Sequence, residues 1–403
     1  MSDQALTESL VERDASTRIV LVVMDGLGGL PDPETGRTEL ETAETPNLDA
    51  LAGRSSLGLL DPVGPGITPG SGPGHLSLFG YDPRRYQIGR GALSALGVGI
   101  EMEPGDVAAR LNLATFDGRG RVSDRRAGRP SDEEARRVVD KLMAGLAQPE
   151  GATITLVPEK EHRVVLWIRG EGLQAGLTET DPLRTGVEDV PLEALTPGSE
   201  RAAGVVRDFL AQARRILADE PACTGFLARG FASYEAIPSM EERFGLRGTA
   251  IAKYPMYRGV ARIVGMRVDR VPEGVSETLD ALEGLWGGYD FYFLHFKDTD
   301  TCGHDGDFQG KVRAIQAVDE QLPRILALEP DVVIVTGDHS TPTLYREHSW
   351  HAVPVLLHSR WPRPSAGSFG EGTCRTGDLG RFPGTDLVPL ALAHAGRLVK
   401  FGA

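Results

Sequence analysis

The chain has 403 residues, 40% of them hydrophobic and 25% charged, and a formal net charge of −14. That size and apolar fraction suit a globular protein of two or three domains, while the acidic balance excludes nucleic acid or an anionic membrane surface as partner, since both call for a basic face. Cys223, Cys302 and Cys374 are too few and too scattered for a disulfide framework or a thiolate zinc site.

In chain order, the opening "MSDQALTESLVERDASTR" is polar and mixed in charge, unlike a secretory signal. No apolar run approaches the ~18 residues of a membrane span. With the cysteine usage, this predicts a cytoplasmic protein. "RIVLVVMDG" from Arg18 predicts a buried strand ending at Asp25, and "TPNLDALAG" a helix with Thr45 as N-cap and Pro46 at its first position. "TPGSGPGHL", residues 68 to 76, sets Ser71 between glycines with His75 four places on; read alone it is a turn.

The texture changes between about 103 and 240. "RLNLATFDGRGRVSDRRAGRPSD" and "TLVPEKEHRVVLWIRGEG" predict short strands with arginine-rich turns. "SDEEARRVVDKLMAGLA" predicts a helix opened by a Ser131–Glu134 capping box, and "SERAAGVVRDFLAQARRILAD" a second helix with period-3.6 apolar spacing. We therefore expect an inserted domain over 103–240 within a discontinuous core of 1–102 plus 241–403.

Beyond it, "YDFYFLHFKDTD" from Tyr289, "PDVVIVTGDHS" from Pro330 and "AVPVLLH" from Ala352 predict further buried strands. "FQGKVRAIQAVDEQLPRILAL" predicts a helix that Pro323 kinks or breaks. Strands alternating with helices give an α/β fold: a mostly parallel sheet flanked by helices, with a smaller inserted α/β domain.

Three buried runs end in acids: the first at Asp25, the second at Asp298 and Asp300, the third at Asp338. Ligands of open α/β sheets bind beyond the carboxyl ends of strands, and a carboxylate at a buried strand end needs a partner. Histidines accompany them: His304 in "DTDTCGH", His339 in "GDHS", then His348 and His351 in "REHSWH". Mixed carboxylate and imidazole donors suit Mn²⁺, Zn²⁺ or Mg²⁺. Asp300, His304 and His348 form one candidate set, and Asp25, Asp338 and His339 another. Two ions ~3.5–4 Å apart can clamp a phosphoryl group, and Ser71, its flanking glycines allowing close approach, becomes a candidate nucleophile.

With "VVMDGLGG", "ETPNLDALA", "PGSGPGHLSLFGYDP", "GRGALSALGVG", "SDRRAGR", "HRVVLWIRGEGL", "KDTDTCGHDGD", "TGDHSTP" and "EHSWHAVPVLL" in register from about 18 to 360, the chain resembles the archaeal-type cofactor-independent phosphoglycerate mutases of the alkaline phosphatase superfamily. The resemblance implies an alkaline-phosphatase-like core and an inserted substrate-binding lid. It implies Ser71 as phosphoryl carrier, one metal on Asp300, His304 and His348, and a second on Asp25, Ser71, Asp338 and His339. His348 rather than His351 fits the family's ligand position, and His75 fits its serine-x-x-x-histidine pattern. Two divalent ions are implied, Mn²⁺ foremost with Mg²⁺, Zn²⁺ or Co²⁺ as alternatives, and no 2,3-bisphosphoglycerate. Gly72 stands where the family usually has an acid, and Ser94 lies near a frequent glutamate.

The implied reaction interconverts 3- and 2-phosphoglycerate through a phosphoserine, in glycolysis and gluconeogenesis. Paired guanidinium donors suit the substrate's carboxylate and phosphate; the candidates are Arg125, Arg126, Arg129, Arg163 and Arg229, with Lys253 on the core side. A metal-dependent phosphatase or phosphodiesterase would use the same nucleophile and ligands. A non-catalytic metal-binding protein would have lost one of them, and none is missing.

Overall fold

The computed structural model describes residues 3–364 and 367–402. Its strands, in chain order, are β1 (Ile19–Met24), β2 (Ser56–Asp61), β3 (Val107–Phe116), β4 (Val122–Asp124), β5 (Ala152–Lys160), β6 (Arg163–Gly170), β7 (Gly225–Ser233), β8 (Gly248–Ala252), β9 (Phe291–Phe296), β10 (Val332–Thr336), β11 (Val353–Ser359) and β12 (Gly380–Pro383). The chain divides into two compact units, Met1–Gln87 with Ile237–Ala403, and Ile88–Ala236.

In the first unit the sheet order is β12-β2-β11-β10-β1-β9-β8. Every neighbouring pair is parallel except those made by β11, so β11 alone runs against the rest. Every residue of β1, β9 and β10 is buried, as continuous apolar runs covered on both faces require. The register sets Val23 beside both Thr336 and His295, and Met24 beside Phe296. The three acid-terminated strands are thus neighbours, with their carboxyl ends level.

The helices show where local signals prevail. The segment from Phe308 breaks into Phe308–Asp319 and Leu322–Ala327, with Pro323 in the first turn of the second piece. Ser131 caps Asp132–Gly145 by accepting from Glu134 N at 3.2 Å. The reciprocal half of the expected capping box is not formed, because the Glu134 carboxylate pairs with Arg137 at 2.8 Å. Thr45 is the N-cap of Pro46–Ala52 as expected, with Pro46 in the first turn, but its hydroxyl makes no cap hydrogen bond. Asp319, from another helix, takes over by accepting from Leu48 N at 2.6 Å and Asn47 N at 3.4 Å.

The second unit has its own sheet, in the order β4-β3-β6-β5, with β7 pairing to β3 as well. Val107, Ala109, Leu111 and Leu113 of β3 pack into a core with Val138 and Leu142 of the helix Asp132–Gly145, and Val206 and Phe209 of the helix Glu200–Ile216. One face of the sheet is therefore helix-covered, and period-2 alternation turns Ala108, Arg110 and Asn112 to the other.

A pH signature is expected from the first unit. Glu371 accepts from Gly29 N at 2.9 Å and Thr38 Oγ1 at 2.6 Å, yet enclosure raises its pKa from the usual 4.5 to about 7, with nearby Glu41 adding to the rise. An acid with a raised pKa stabilises the fold while protonated; that stability is complete below 4.5 and is lost as pH climbs to about 7. Relative to Glu371→Gln, the native chain should lose about 3 kcal/mol across this window, read from urea unfolding at its two ends. Parallel pH profiles would disprove the assignment.

Candidate metal centre and nucleophile

The site lies at the carboxyl ends of β10, β1 and β9. Asp25 directly follows β1, and Asp338 lies two residues past β10. After β9 the helix Asp298–Asp305 carries Asp300 and His304 one turn apart, on the same face. Two glycines are required here. Gly26 has φ +65°, and a Cβ on it would lie 2.5 Å from Thr341 Oγ1. Gly74 lets the helix Ser71–Leu78 settle against the end of β10, since a Cβ there would lie 2.3 Å from Asp338 O. This close seating presents Ser71, the first helical residue, to the acids.

Asp300 Oδ1 is 3.6 Å from His304 Nε2 and 3.6 Å from His348 Nε2. His339 Nε2 lies 3.2 Å from Ser71 Oγ, 3.1 Å from Asp338 Oδ2 and 3.4 Å from Asp25 Oδ1. His339 and His348 stack with ring centroids 3.6 Å apart. Donor atoms of Asp300, His304 and His348 come within 4.8 Å of one another, and so do those of Asp25, Asp300 and His339. Asp300 thus belongs to both clusters, and Asp338 and Ser71 adjoin the second.

The outer nitrogens fix the tautomers. His348 Nδ1 donates to Pro69 O at 2.9 Å, and His304 Nδ1 to Arg346 O at 3.0 Å. Thr341 Oγ1 donates its one proton to Asp300 Oδ1 at 2.7 Å, and so accepts from His339 Nδ1 at 3.0 Å. In its neutral form each imidazole therefore turns the Nε2 lone pair toward carboxylate oxygens. Lone pairs facing lone pairs need a cation between them, and backbone or hydroxyl partners on the far nitrogen are the usual support of histidine ligands.

The electrostatics agree. Asp25 Oδ1 and Asp338 Oδ2 are buried and accept no hydrogen bond, the condition of a carboxylate built for an ion. Burial would raise the Asp25 pKa, but Lys297, His295 and His339 together hold it well below the carboxylate range. His339 is kept neutral by burial, against the pull of Asp338 and Asp25. His75, at 0% exposure, would lose its proton to burial, but Asp338 at 3.2 Å raises its pKa; its Nδ1 also meets Ser71 O at 2.7 Å. It therefore ties the serine's backbone to the strand-end acid. The donor set fits divalent metal ions.

Sequence reading passed over several contributors. Lys297 bridges Asp25, at 3.2 Å, and Asp300. His295, within β9, reaches Asp25 Oδ2 at 2.9 Å and stacks on Tyr257 at 3.7 Å. Thr341 orients two ligands at once. Lys297 adjoins Asp298 in the quoted motif, but nothing local distinguishes His295 from its apolar neighbours. His351 belongs to neither cluster: Nδ1 meets Ser349 Oγ at 3.0 Å and its ring stacks on Trp350.

Of the candidate anion binders, Lys253 is exposed, pairs with Glu273 at 3.0 Å, and lines a cleft with Lys297 and His295. In the second unit Arg125 holds Asp181 with two donors, at 2.7 and 2.8 Å, and Arg229 stands 3.5 Å from the same acid. Arg126, Arg129 and Arg163 are exposed.

The family profile of 2,3-bisphosphoglycerate-independent phosphoglycerate mutase matches residues 52–222. Proteins named probable 2,3-bisphosphoglycerate-independent phosphoglycerate mutase are 50% identical in Thermus thermophilus, over 96% of both chains, and 48% identical in Deinococcus radiodurans, over 100% of both. Among solved structures, a Pyrococcus horikoshii protein superposes with TM-score 0.82 at 32% identity, covering 96% of this chain and 99% of that one. The cofactor-independent phosphoglycerate mutase of Thermoplasma acidophilum gives 0.71 at 28% identity, covering 94% and 100%. Likeness of this extent means that the chain belongs to the 2,3-bisphosphoglycerate-independent phosphoglycerate mutase family.

Proposed function

We propose that the chain interconverts 3-phosphoglycerate and 2-phosphoglycerate, with no 2,3-bisphosphoglycerate primer, through a phosphoserine at Ser71. The observation that carries this is a serine hydroxyl at a helix N-terminus, 3.2 Å from an unprotonated histidine nitrogen, among buried acids with unsatisfied oxygens. Ser71 Oγ attacks the substrate phosphorus in line, and the proton it loses ends on the leaving C3 oxygen. The bond from phosphorus to the C3 oxygen breaks, and that oxygen takes a proton. Glycerate turns, its C2 hydroxyl attacks the phosphoserine, and Ser71 Oγ is released. The N-terminal amides of the helix Ser71–Leu78 favour the phosphoryl oxygens.

Asp300, His304 and His348 would hold one divalent ion, and Asp25, Ser71, Asp338 and His339 a second, with Mn²⁺ foremost for mixed oxygen and imidazole donors. When bound, the ions supply charge neutralisation and lower the serine pKa, the main demands of phosphoryl transfer. The insert is the lid of this reading: it retains glycerate and excludes water, with Arg125, Arg126, Arg129, Arg163 and Arg229, and Lys253 from the core, available to its anionic groups.

The test is phosphorus NMR of chelator-stripped protein with 3-phosphoglycerate and Mn²⁺, free of bisphosphoglycerate. The expected outcome is 2-phosphoglycerate rising to equilibrium with little inorganic phosphate. Inorganic phosphate as main product would overturn the mutase reading in favour of a hydrolase.

A further inference from the structure

The helix Phe308–Asp319 buries Ile315 and Val318, and the same stripe starts one turn earlier with a charged residue, Lys311, at 0% exposure. Lysine is almost never fully buried without a partner. Among the described residues Lys311 is in no ion pair; its Nζ donates to three backbone carbonyls, Gly26 O at 2.9 Å, Gly28 O at 3.1 Å and Thr341 O at 2.9 Å. Burial lowers its pKa, with Glu39 and Glu371 opposing. Three acceptors take all three protons of an ammonium, where a neutral amine has two to give.

The three carbonyls belong to the two segments that carry the strand-end acids. Gly26 and Gly28 follow Asp25 past β1, and Thr341 follows Asp338 and His339 past β10. The segments also bond to each other: Gly26 N donates to Asp338 Oδ1 at 3.1 Å, and Thr341 N lies 3.2 Å from both Gly26 O and Gly28 O. Thr341 leads from Lys311 to the ligands, since its hydroxyl donates to Asp300 Oδ1 and accepts from His339 Nδ1. Gly303, in the helix of Asp300, packs on the same carbonyl; a Cβ there would lie 2.3 Å from Thr341 O. Three carbonyl oxygens converging on one buried point repel one another unless donors fill it.

We propose that Lys311 is a positioning residue of the metal centre. Its ammonium clamps the segments after β1 and β10 together and, through Thr341, sets Asp300 and His339 for the ion. This rests on the reading of those residues as metal ligands; the clamp itself does not. The sign of the effect separates order from charge. A cation behind the site would by itself repel divalent ions, so removing it would tighten their binding, whereas loss of the clamp weakens it.

The experiment titrates Mn²⁺ calorimetrically into the full chain, Lys311→Met, Lys311→Gln, Thr341→Val and the Lys311→Gln/Thr341→Val double variant. Lys311→Gln keeps two N–H donors and decides the matter where Lys311→Met does not fold. Each Lys311 variant should bind Mn²⁺ about tenfold or more weakly, the scale of losing a ligand's supporting partner. Because both residues act through one hydroxyl, the double variant should lose less than the product of the two single losses. Hydrogen exchange without metal should quicken at residues 25–29 and 339–343 in Lys311→Gln and stay native in β11.

Two outcomes would overturn the proposal. One is native or tighter Mn²⁺ binding in Lys311→Gln beside a lowered melting temperature, the mark of a purely structural lysine. The other is losses that simply multiply in the double variant. If the native chain binds no Mn²⁺, the reading of the ligands fails; the exchange rates still test the clamp, and native rates at 25–29 and 339–343 in Lys311→Gln would refute it.

Discussion

Ser71→Ala is expected to reduce mutase turnover by about 10⁴-fold or more, the scale seen when a nucleophile is deleted from a covalent mechanism. The loss would be chemical rather than structural. Ser71 is half-buried, and its hydroxyl meets His339 Nε2 at 3.2 Å. His75 meets the backbone carbonyl of residue 71, which alanine keeps, and Gly74 still seats the helix against Asp338. The variant should therefore keep the native melting temperature and still bind Mn²⁺ through the remaining ligands. Rapid mixing with 3-phosphoglycerate followed by intact-mass measurement should show one added phosphoryl group on the native chain and none on the variant. Native-like turnover in Ser71→Ala would refute the phosphoserine route.

Asp300→Asn should be the most damaging single change among the metal ligands, because this carboxylate belongs to both clusters. Its Oδ1 faces His304 and His348 at 3.6 Å and also accepts from Thr341 Oγ1. An amide of the same shape carries no charge, and its nitrogen would set a donor against Lys297 or Thr341. Affinity for divalent ions should fall by about 100-fold or more, since supporting partners of a ligand alone are worth 10–100-fold. Activity should fall with it, recovering only in part at high Mn²⁺. The fold should survive, because Lys297 keeps Asp25 as partner at 3.2 Å. Calorimetric titration with Mn²⁺ checks this directly, and a native isotherm would show that Asp300 is not a ligand.

The parts of this site legible in the sequence share a physical cause. A strand buried on both faces reads as an unbroken apolar run, so an acid closing the run stands out; Asp25 and Asp338 follow β1 and β10 in this way. The one-turn spacing of Asp300 and His304 was readable for a similar reason, since it needs only a helix. Residues whose meaning comes from pairing across the fold were not. His295 sits inside "FYFLHF", where nothing local marks it, and only the β1–β9 pairing brings it to Asp25. β12, at the sheet edge beside β2, is too short to read, while β2 (SLGLLD) and β8 (GTAIA) match β1 and β10 in length but dilute the apolar run with Gly, Ser and Thr. Thr45 holds the N-cap position, but a distant carboxylate supplies the hydrogen bonds its hydroxyl would have made, which no local pattern shows.

The insert's two ends meet within its own sheet. β3 pairs Val107 with Ser233 of β7, and Tyr234 N donates to Asp106 O at 2.9 Å. The chain thus enters and leaves this unit at adjacent points. For the rest of the polypeptide a folded insert acts as a short tether, and closing a short loop costs far less conformational entropy than closing a long flexible one. The order of folding events then matters. If the insert forms first, the distant halves that supply β1 and β9 search for each other as though a few residues apart; if it forms last, they carry a long floppy excursion. Stabilising the insert alone should therefore speed assembly of the metal-bearing sheet without altering any contact in it.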